Sequence, residues 1–572
     1  MPSGSVLASV ALACAGSCPT SPGATPLLEG AFGDGLPWSE IGPAPPAEWH
    51  GPDLVGDVAE VLTAPDARRS GGVHYTPAGI ADRLVADVVP SDQPLAAVCD
   101  PAVGGGAFLL AVARHLLGSG LAAGPVLDRL AGVDVEPLAV AAAETALSLL
   151  AAERGVQAVP AGLTVADALR LPVEQFPQRP DAGYDLVIGN PPFGGQLKEA
   201  TRLAKAERDA MKDRFGPAAG AYTDRSSLFL LLALELVREA GRLQLILPRS
   251  VLVARDAGPA RARLLRKASL DAVWVDEDES FDAAVRVCAL TATRAGTGHT
   301  TVVWAGAKRP ATQVAAPRDE RGADGWGSLL ASMAGVPAVE LAGPPLGSVA
   351  SATAGFRQQY YGLVPFVREQ SAGDGMPLVT SGLIEPAEVR WGRTSCRFAR
   401  RRWAAPVVDG EALRTHDPDL GSWVDARCRP KVLVASQTRI IEAVADAAGN
   451  LVPSVPVVSV EPEDPADLWR VAAALLSPAA SAWMLHHRAG SGLSADTIRV
   501  SARSVTGVPL PSDRARWDDA AALVEQWHED PGDREVLRRY ARTATEAYEL
   551  GESDVDDLCS WWMQHIGRSI GA

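Results

Sequence analysis

Residues 98–108 read Val98-Cys99-Asp100-Pro101-Ala102-Val103-Gly104-Gly105-Gly106-Ala107-Phe108. An apolar run ends on an acid, turns through three consecutive glycines and opens into an apolar stretch of helical spacing, 107–117. Glycine takes positive φ without steric cost and lets a ligand approach the backbone closely. The segment therefore reads as strand, turn and helix. Alone it fits a cofactor site, a dinucleotide site or a plain strand-to-helix turn.

Working outward, the pattern repeats. Gly132-Val133-Asp134-Val135-Glu136-Pro137 puts a second acid at a strand end, 34 residues after Asp100, and Val165-Ala166-Asp167 supplies a third. The predicted strands are 95–99, 130–133, 163–165, 185–188, 243–247, 272–275 and 285–291, with helical stretches at 107–117, 137–152 and 226–240 among them. Such alternation argues for an α/β fold with a mostly parallel sheet covered on both faces. The last two strands, joined without a helix, suit an antiparallel edge hairpin. Ligands of such sheets sit outside the carboxyl ends of the strands, where all three acids lie. Asp134 suits ribose hydroxyls, and Asp167 is placed to reach an adenine amino group.

The fourth segment carries chemistry: Leu186-Val187-Ile188-Gly189-Asn190-Pro191-Pro192-Phe193. An asparagine before prolines is also an ordinary turn. Here, however, asparagine is scarce: only Asn190 and Asn450 occur, in a chain whose basic residues are 47 Arg against 6 Lys, a skew typical of a GC-rich genome. An aromatic amine is a poor nucleophile because its lone pair is delocalised. The Asn190 side-chain oxygen and the Pro191 carbonyl can accept both amine hydrogens and turn the lone pair toward a methyl donor, so that positioning is the main contribution. Pro191 and Pro192 stiffen the loop, and Phe193 offers a face for an extruded base.

Composition bounds the rest. A length of 572 residues predicts two to four domains, and 47% hydrophobic with 21% charged residues supports a sizeable core. The net charge of −16 argues against a chain that coats nucleic acid over its whole surface, though not against a local basic face. Seven scattered cysteines show no metal-ligand spacing, so the chain reads as reduced and cytoplasmic, without metal. The apolar run 5–14 has no Lys or Arg before it, the first being Arg68, and so reads as part of a largely unstructured extension over residues 1–50 rather than a signal peptide. No later run of 18 apolar residues predicts a membrane span.

Taken together, these motifs resemble an amino-group, adenine-specific DNA methyltransferase of the gamma arrangement, of the bacterial restriction-modification or phage-defence type. The resemblance covers about residues 54–295 well and the remainder loosely. It implies a Rossmann-like methyltransferase sheet, S-adenosyl-L-methionine as cofactor and a C-terminal mixed α/β target-recognition domain. Gly72-Val73-His74-Tyr75-Thr76-Pro77 resembles the family's N-terminal motif, so Tyr75 and Thr76 are expected at the methionine end of the cofactor. Asp100, Pro101, Gly104 and Gly106 match its first cofactor motif, Asp134 and Asp167 its ribose and adenine acids, and Asn190 to Phe193 its catalytic tetrapeptide. Phe281 is the candidate for a second aromatic against the flipped adenine. Val103 and Gly105 stand where many relatives carry Cys and Ser, and Ala168 where some carry an aromatic.

The expected domains are 51–298 for methyl transfer, 299–512 for target recognition and 513–572 as a helical end. Between residues 390 and 439 there are 11 basic residues against 5 acids, a local excess of +6. Arg390, Arg393, Arg397, Arg400, Arg401 and Arg402 are the candidate DNA contacts, since arginine suits phosphates and guanine edges. The expected partners are double-stranded DNA and, left open, a separate restriction or defence subunit. RNA or protein-glutamine methylation, or a modification or specificity subunit acting only within a defence complex, are the competing readings.

Overall fold

The computed structural model describes residues 52–53, 55–56, 76–89, 95–156, 160–194, 205–220, 223–276, 286–306, 312–317, 325–355, 357–370, 375–489 and 498–569. Residues 1–50, expected as a largely unstructured extension, lie outside them. Contacts divide the chain into two compact units, Met1–Asp324 and Gly325–Ala572.

The first unit is built on a nine-stranded sheet of order β3-β2-β1-β4-β5-β7-β6-β8-β9. Its strands are β1 (Val98–Asp100), β2 (Leu130–Asp134), β3 (Leu163–Val165), β4 (Tyr184–Gly189), β5 (Val237–Pro248), β6 (Ala268–Val275), β7 (Val287–Arg294), β8 (Thr300–Ala305) and β9 (Thr312–Ala315). Strands β3, β2, β1, β4 and β5 run parallel. From β1 the chain moves outward to β2 and β3, then returns to place β4 on the other side of β1. Right-handed crossovers therefore put the helices of the two halves on opposite faces. On one face α1 (Ala78–Val88), α2 (Ala107–Gly118) and α3 (Pro137–Ala152) bury Leu84, Leu109, Val112, Ala142 and Leu147 in one cluster with Val98 and Ile188. On the other, α4 (Arg225–Leu236) and α5 (Gly258–Lys267) pack on one another.

Three expectations need correction. The helix expected over 226–240 ends at Leu236, because Val237 pairs with Tyr184 of β4 and Ala240 takes φ 57, a turn conformation that no right-handed helix accommodates. The strands expected to form the edge hairpin, β6 and β7, do pair antiparallel, but β8 adds parallel to β6 and β9 antiparallel to β8. An open β6 edge would leave a row of backbone groups without ladder partners. The sheet thus runs past the boundary set at 298.

The second unit contains a four-stranded sheet of β10 (Ala350–Ala354), β19 (Val458–Pro462), β16 (Lys431–Val434) and β17 (Ala443–Asp446), in that spatial order. A further sheet joins β11 (Val367–Glu369), β15 (Pro406–Val408), β12 (Met376–Val379) and β18 (Val452–Pro453). A separate hairpin consists of β13 (Cys396–Phe398) and β14 (Arg401–Trp403). The helical end, expected as a segment of its own, lies within this unit. Tyr540 donates to the Ala473 carbonyl at 2.8 Å and Trp517 to that of Arg470 at 2.8 Å, and buried Trp527 and Trp562 meet edge to face. Apolar rings on one helix face have to be covered by the body they follow.

Candidate active site

Strands β1 and β4 are neighbours on either side of the point where the strand order reverses, the place where open α/β sheets bind ligands. Val98 pairs with Leu186 and Cys99 with Val187, which brings Asp100 beside Gly189. A Cβ on Gly189 would stand 2.4 Å from Asp100 Oδ1, so the residue before Asn190 has to be glycine for this carboxylate to fit. Asp100 is 1% exposed, and its Oδ1 accepts the Ala102 N–H at 2.9 Å. Burial pushes its pKa up to about 8; the Ala102 N–H works against that rise and the nearby Asp134 charge adds to it. Such a site favours a cation that would restore the ionised form.

Asp134, closing β2, accepts the Gly104 N–H at 2.9 Å on one oxygen and the Glu136 N–H at 3.0 Å on the other. Burial raises its pKa despite these bonds. The glycine turn and the second acid are therefore one structure. Gly106, at φ 90, starts α2, and a Cβ there would lie 3.1 Å from Ala143 of α3. Pro101 is buried beside Asp100. Asp167 is half-buried, and its Oδ1 accepts the Leu169 N–H at 3.0 Å. Two residues escaped the sequence reading. Val135 (54%) and Val165 (48%) are among the few large apolar side chains left exposed in the described residues. Val165 sits beside Asp134 across the β2–β3 pair. The signal was an apolar residue within two positions of each acid, indistinguishable in sequence from strand core.

The donor set suits S-adenosylmethionine. The buried Asp100 carboxylate would take the ammonium, Asp134 the ribose hydroxyls and Asp167 the adenine amine, with Val135 and Val165 as apolar flanks for a flat ring. Each carboxylate oxygen accepts more than one hydrogen bond, so the backbone bonds to Asp134 and Asp167 leave capacity for these.

Beyond β4, Asn190 Nδ2 donates to the Thr76 hydroxyl at 3.1 Å. Thr76, expected among the cofactor contacts, thus orients the Asn190 amide: with the nitrogen committed, the amide's acceptor end is Oδ1. Pro191 is buried and Pro192 half-buried. Phe193 is 4% exposed and belongs to the core cluster with Ile246 and Trp274. The expected open stacking face is therefore covered, because the ring also fills the end of the sheet. The loop is tied down on its far side. Asp224 accepts the Gly194 N–H on Oδ2 at 3.2 Å, while its Oδ1 caps α4 through the Ser226 N–H at 2.9 Å. The sequence reading passed over Asp224, whose only mark is an acid just before an apolar helical run. Tyr75 and Phe281 lie outside the described residues.

In the second unit the six candidate arginines divide. Arg390 lies 3.7 Å from both Glu385 and Glu388, and Arg393 is 2.6 Å from Glu388, so both are neutralised locally. Arg397, Arg400, Arg401 and Arg402 lie on the β13–β14 hairpin, all exposed.

Asp100, Asp134, Asp167 and Asn-Pro-Pro-Phe thus gather along the carboxyl edge of the parallel strands. Residues 50–305 match the model of the family described as N-6 DNA Methylase. The chain is similar to the type II methyltransferase M.VspI of Vibrio sp. (strain 343), 24% identical over 34% of this chain and 41% of the relative. It is also similar to the methylase subunit of the type I restriction enzyme EcoEI of Escherichia coli, 26% identical over 37% of this chain and 40% of the relative. The matched stretches thus span about two fifths of those relatives' length. Among solved structures, that of the type IIL restriction-modification enzyme MmeI in complex with DNA shares the fold, with a TM-score of 0.59 at 12% identity over 94% of this chain and 83% of that one.

Proposed function

We propose that this protein methylates the exocyclic N6 amine of adenine in duplex DNA, with the unit Gly325–Ala572 recognising the target. The observation that supports this most is Asn190, oriented by Thr76, at the end of β4 beside Asp100 at the end of β1. Bound S-adenosylmethionine supplies a methyl group on a sulfonium, a good leaving group. The chain's own residues do the rest. Asn190 Oδ1 and the Pro191 carbonyl accept the two amine hydrogens, which frees the lone pair from the ring and aims it. Asp224, through Gly194, keeps that loop from drifting, and small displacements of a reacting pair are expensive in rate. Stacking a base on Phe193 requires one face of the ring to be uncovered as the base enters, an unstacking and repacking step of the kind base-flipping enzymes make.

The Escherichia coli relative is named as a subunit, and we place this chain likewise beside a separate restriction or defence subunit, in the cytoplasm with the DNA. Incubation with labelled S-adenosylmethionine and DNA, RNA or protein separately tests the reading. Label enters adenine of duplex DNA, and Asn190→Ala abolishes it while cofactor affinity is kept. Label in RNA or protein alone, or an Asn190→Ala enzyme at the parental rate, overturns it.

A further inference from the structure

The β13–β14 hairpin concentrates charge in a way the rest of its unit avoids. Four arginines, Arg397, Arg400, Arg401 and Arg402, fall within six residues, and among the described residues none of them forms an ion pair. Elsewhere in the same basic window most placed cations meet acids, Arg393 with Glu388, Arg414 with Asp425, Arg429 with Glu461 and Lys431 with Asp446, while Arg427 lies over the Trp423 ring. The hairpin register sets Arg397 directly opposite Arg402, and like charges across a strand pair repel. Its tip is costly as well. Ala399 (φ 50) and Arg400 (φ 63) are both left-handed, the turn geometry that Asn-Gly serves best and that L side chains adopt against steric resistance.

The underside, in contrast, is anchored. Cys396, Phe398 and Trp403 are buried, Trp403 Nε1 donates to the Phe398 carbonyl at 3.0 Å, and the Tyr360 hydroxyl accepts the Ala399 N–H at 2.9 Å. Arg401 is held over the Trp403 ring at 4.7 Å. Tyr361, 65% exposed, meets Tyr360 edge to face at 5.3 Å, and Tyr360 in turn packs on Phe398 of the hairpin. Charge repulsion on a rigid base is relieved by a dense polyanion, and a two-stranded ribbon has the width of a DNA major groove.

We infer, resting on the DNA-methyltransferase reading, that this hairpin is the element that enters the groove of the target duplex. The tip residue goes deepest, so Arg400 reads a base edge, most naturally the O6/N7 edge of guanine. Arg397 and Arg402, on the flank, meet the phosphate walls, and Tyr361 packs on the sugar-phosphate backbone.

The test uses the full chain. Methylated adenines that the parent introduces into methyl-free genomic DNA are mapped to define a site, and binding to a duplex carrying it and to a scrambled duplex is followed over a salt series. Arg400→Gly keeps the turn, since glycine takes positive φ freely, yet discrimination between the duplexes falls roughly tenfold or more. The double variant Arg397→Gln, Arg402→Gln weakens both duplexes alike and flattens the slope of log K against log salt by about two. Tyr361→Ser weakens both without changing the slope. Parental discrimination and slope in variants lacking all four arginines overturn the assignment while leaving the methyltransferase reading intact, as does equal competition by transfer RNA. A parent that methylates no DNA at all removes that reading, and this inference with it.

Discussion

Replacing Asp100 with asparagine tests whether the carboxylate at the end of β1 is held in reserve for a cation. In the cofactor-free protein its pKa stands at about 8, mainly through burial, against about 3.9 in an unfolded chain. Between those values the native state keeps a proton that the unfolded state has lost. Stability therefore falls as pH rises through that window and levels off above about 8. The slope is about 1.4 kcal/mol per pH unit at most, so moving from pH 5.5 to 7.5 costs roughly 2–3 kcal/mol. Part of this is shared with Asp134, whose charge adds to the rise. The asparagine amide cannot titrate, yet it keeps an oxygen for the Ala102 N–H and fits the space beside Gly189. The Asp100→Asn variant should gain on the parent by roughly 2–3 kcal/mol at most between those two pH values. Urea unfolding at each pH, with hydrogen exchange on peptides covering 98–118, reads the difference. S-adenosylmethionine should restore the parent's lost stability at pH 7.5, with proton release on binding, and leave the variant unchanged. Parallel pH–stability curves for the two proteins would refute the reasoning.

Further outcomes follow from the same geometry. Gly189→Ala drives a methyl group into Asp100 and should cost about 1–3 kcal/mol of stability, with cofactor affinity lost on calorimetric titration. Thr76→Val removes the hydrogen bond to Asn190, worth about 1 kcal/mol. The methylation rate should fall about fivefold at saturating cofactor, with Thr76→Ser restoring it. Asp224→Ala uncaps α4 and releases Gly194; about 1 kcal/mol of stability should go, and kcat should drop with Asp224→Asn intermediate. Lys431 and Asp446 form an ion pair with both side chains buried. Lys431→Met should cost about 3–5 kcal/mol by stranding the carboxylate, and the double change Lys431→Met, Asp446→Leu should recover most of it, as judged by thermal unfolding.

Much of the first unit was legible because its signals are local. The helix over Pro137–Ala152 and the strand Leu163–Val165 fall where their apolar runs place them, since run length and the prolines and glycines that flank each run set its ends. The edge strands β8 and β9 were missed because short half-buried runs look alike inside and outside a sheet. In the basic window, summed charge could not separate Arg390 and Arg393, held by Glu385 and Glu388, from the four arginines of the hairpin.

By itself the sequence determined which residues stand at strand ends: Asp100, Asp134, Asp167 and Asn190 are placed there by the length of each apolar run and the glycines or prolines that stop it. Which of them touch was decided only by tertiary structure. Thr76 meets Asn190 across 114 residues, Gly189 makes room for Asp100 on the neighbouring strand, and Asp224 ties Gly194 to a helix 30 residues on. The reason is physical. Strand order and crossover handedness choose neighbours, and a hydrogen bond or a vacant Cβ position is a property of two neighbours together, which spacing along one chain does not encode.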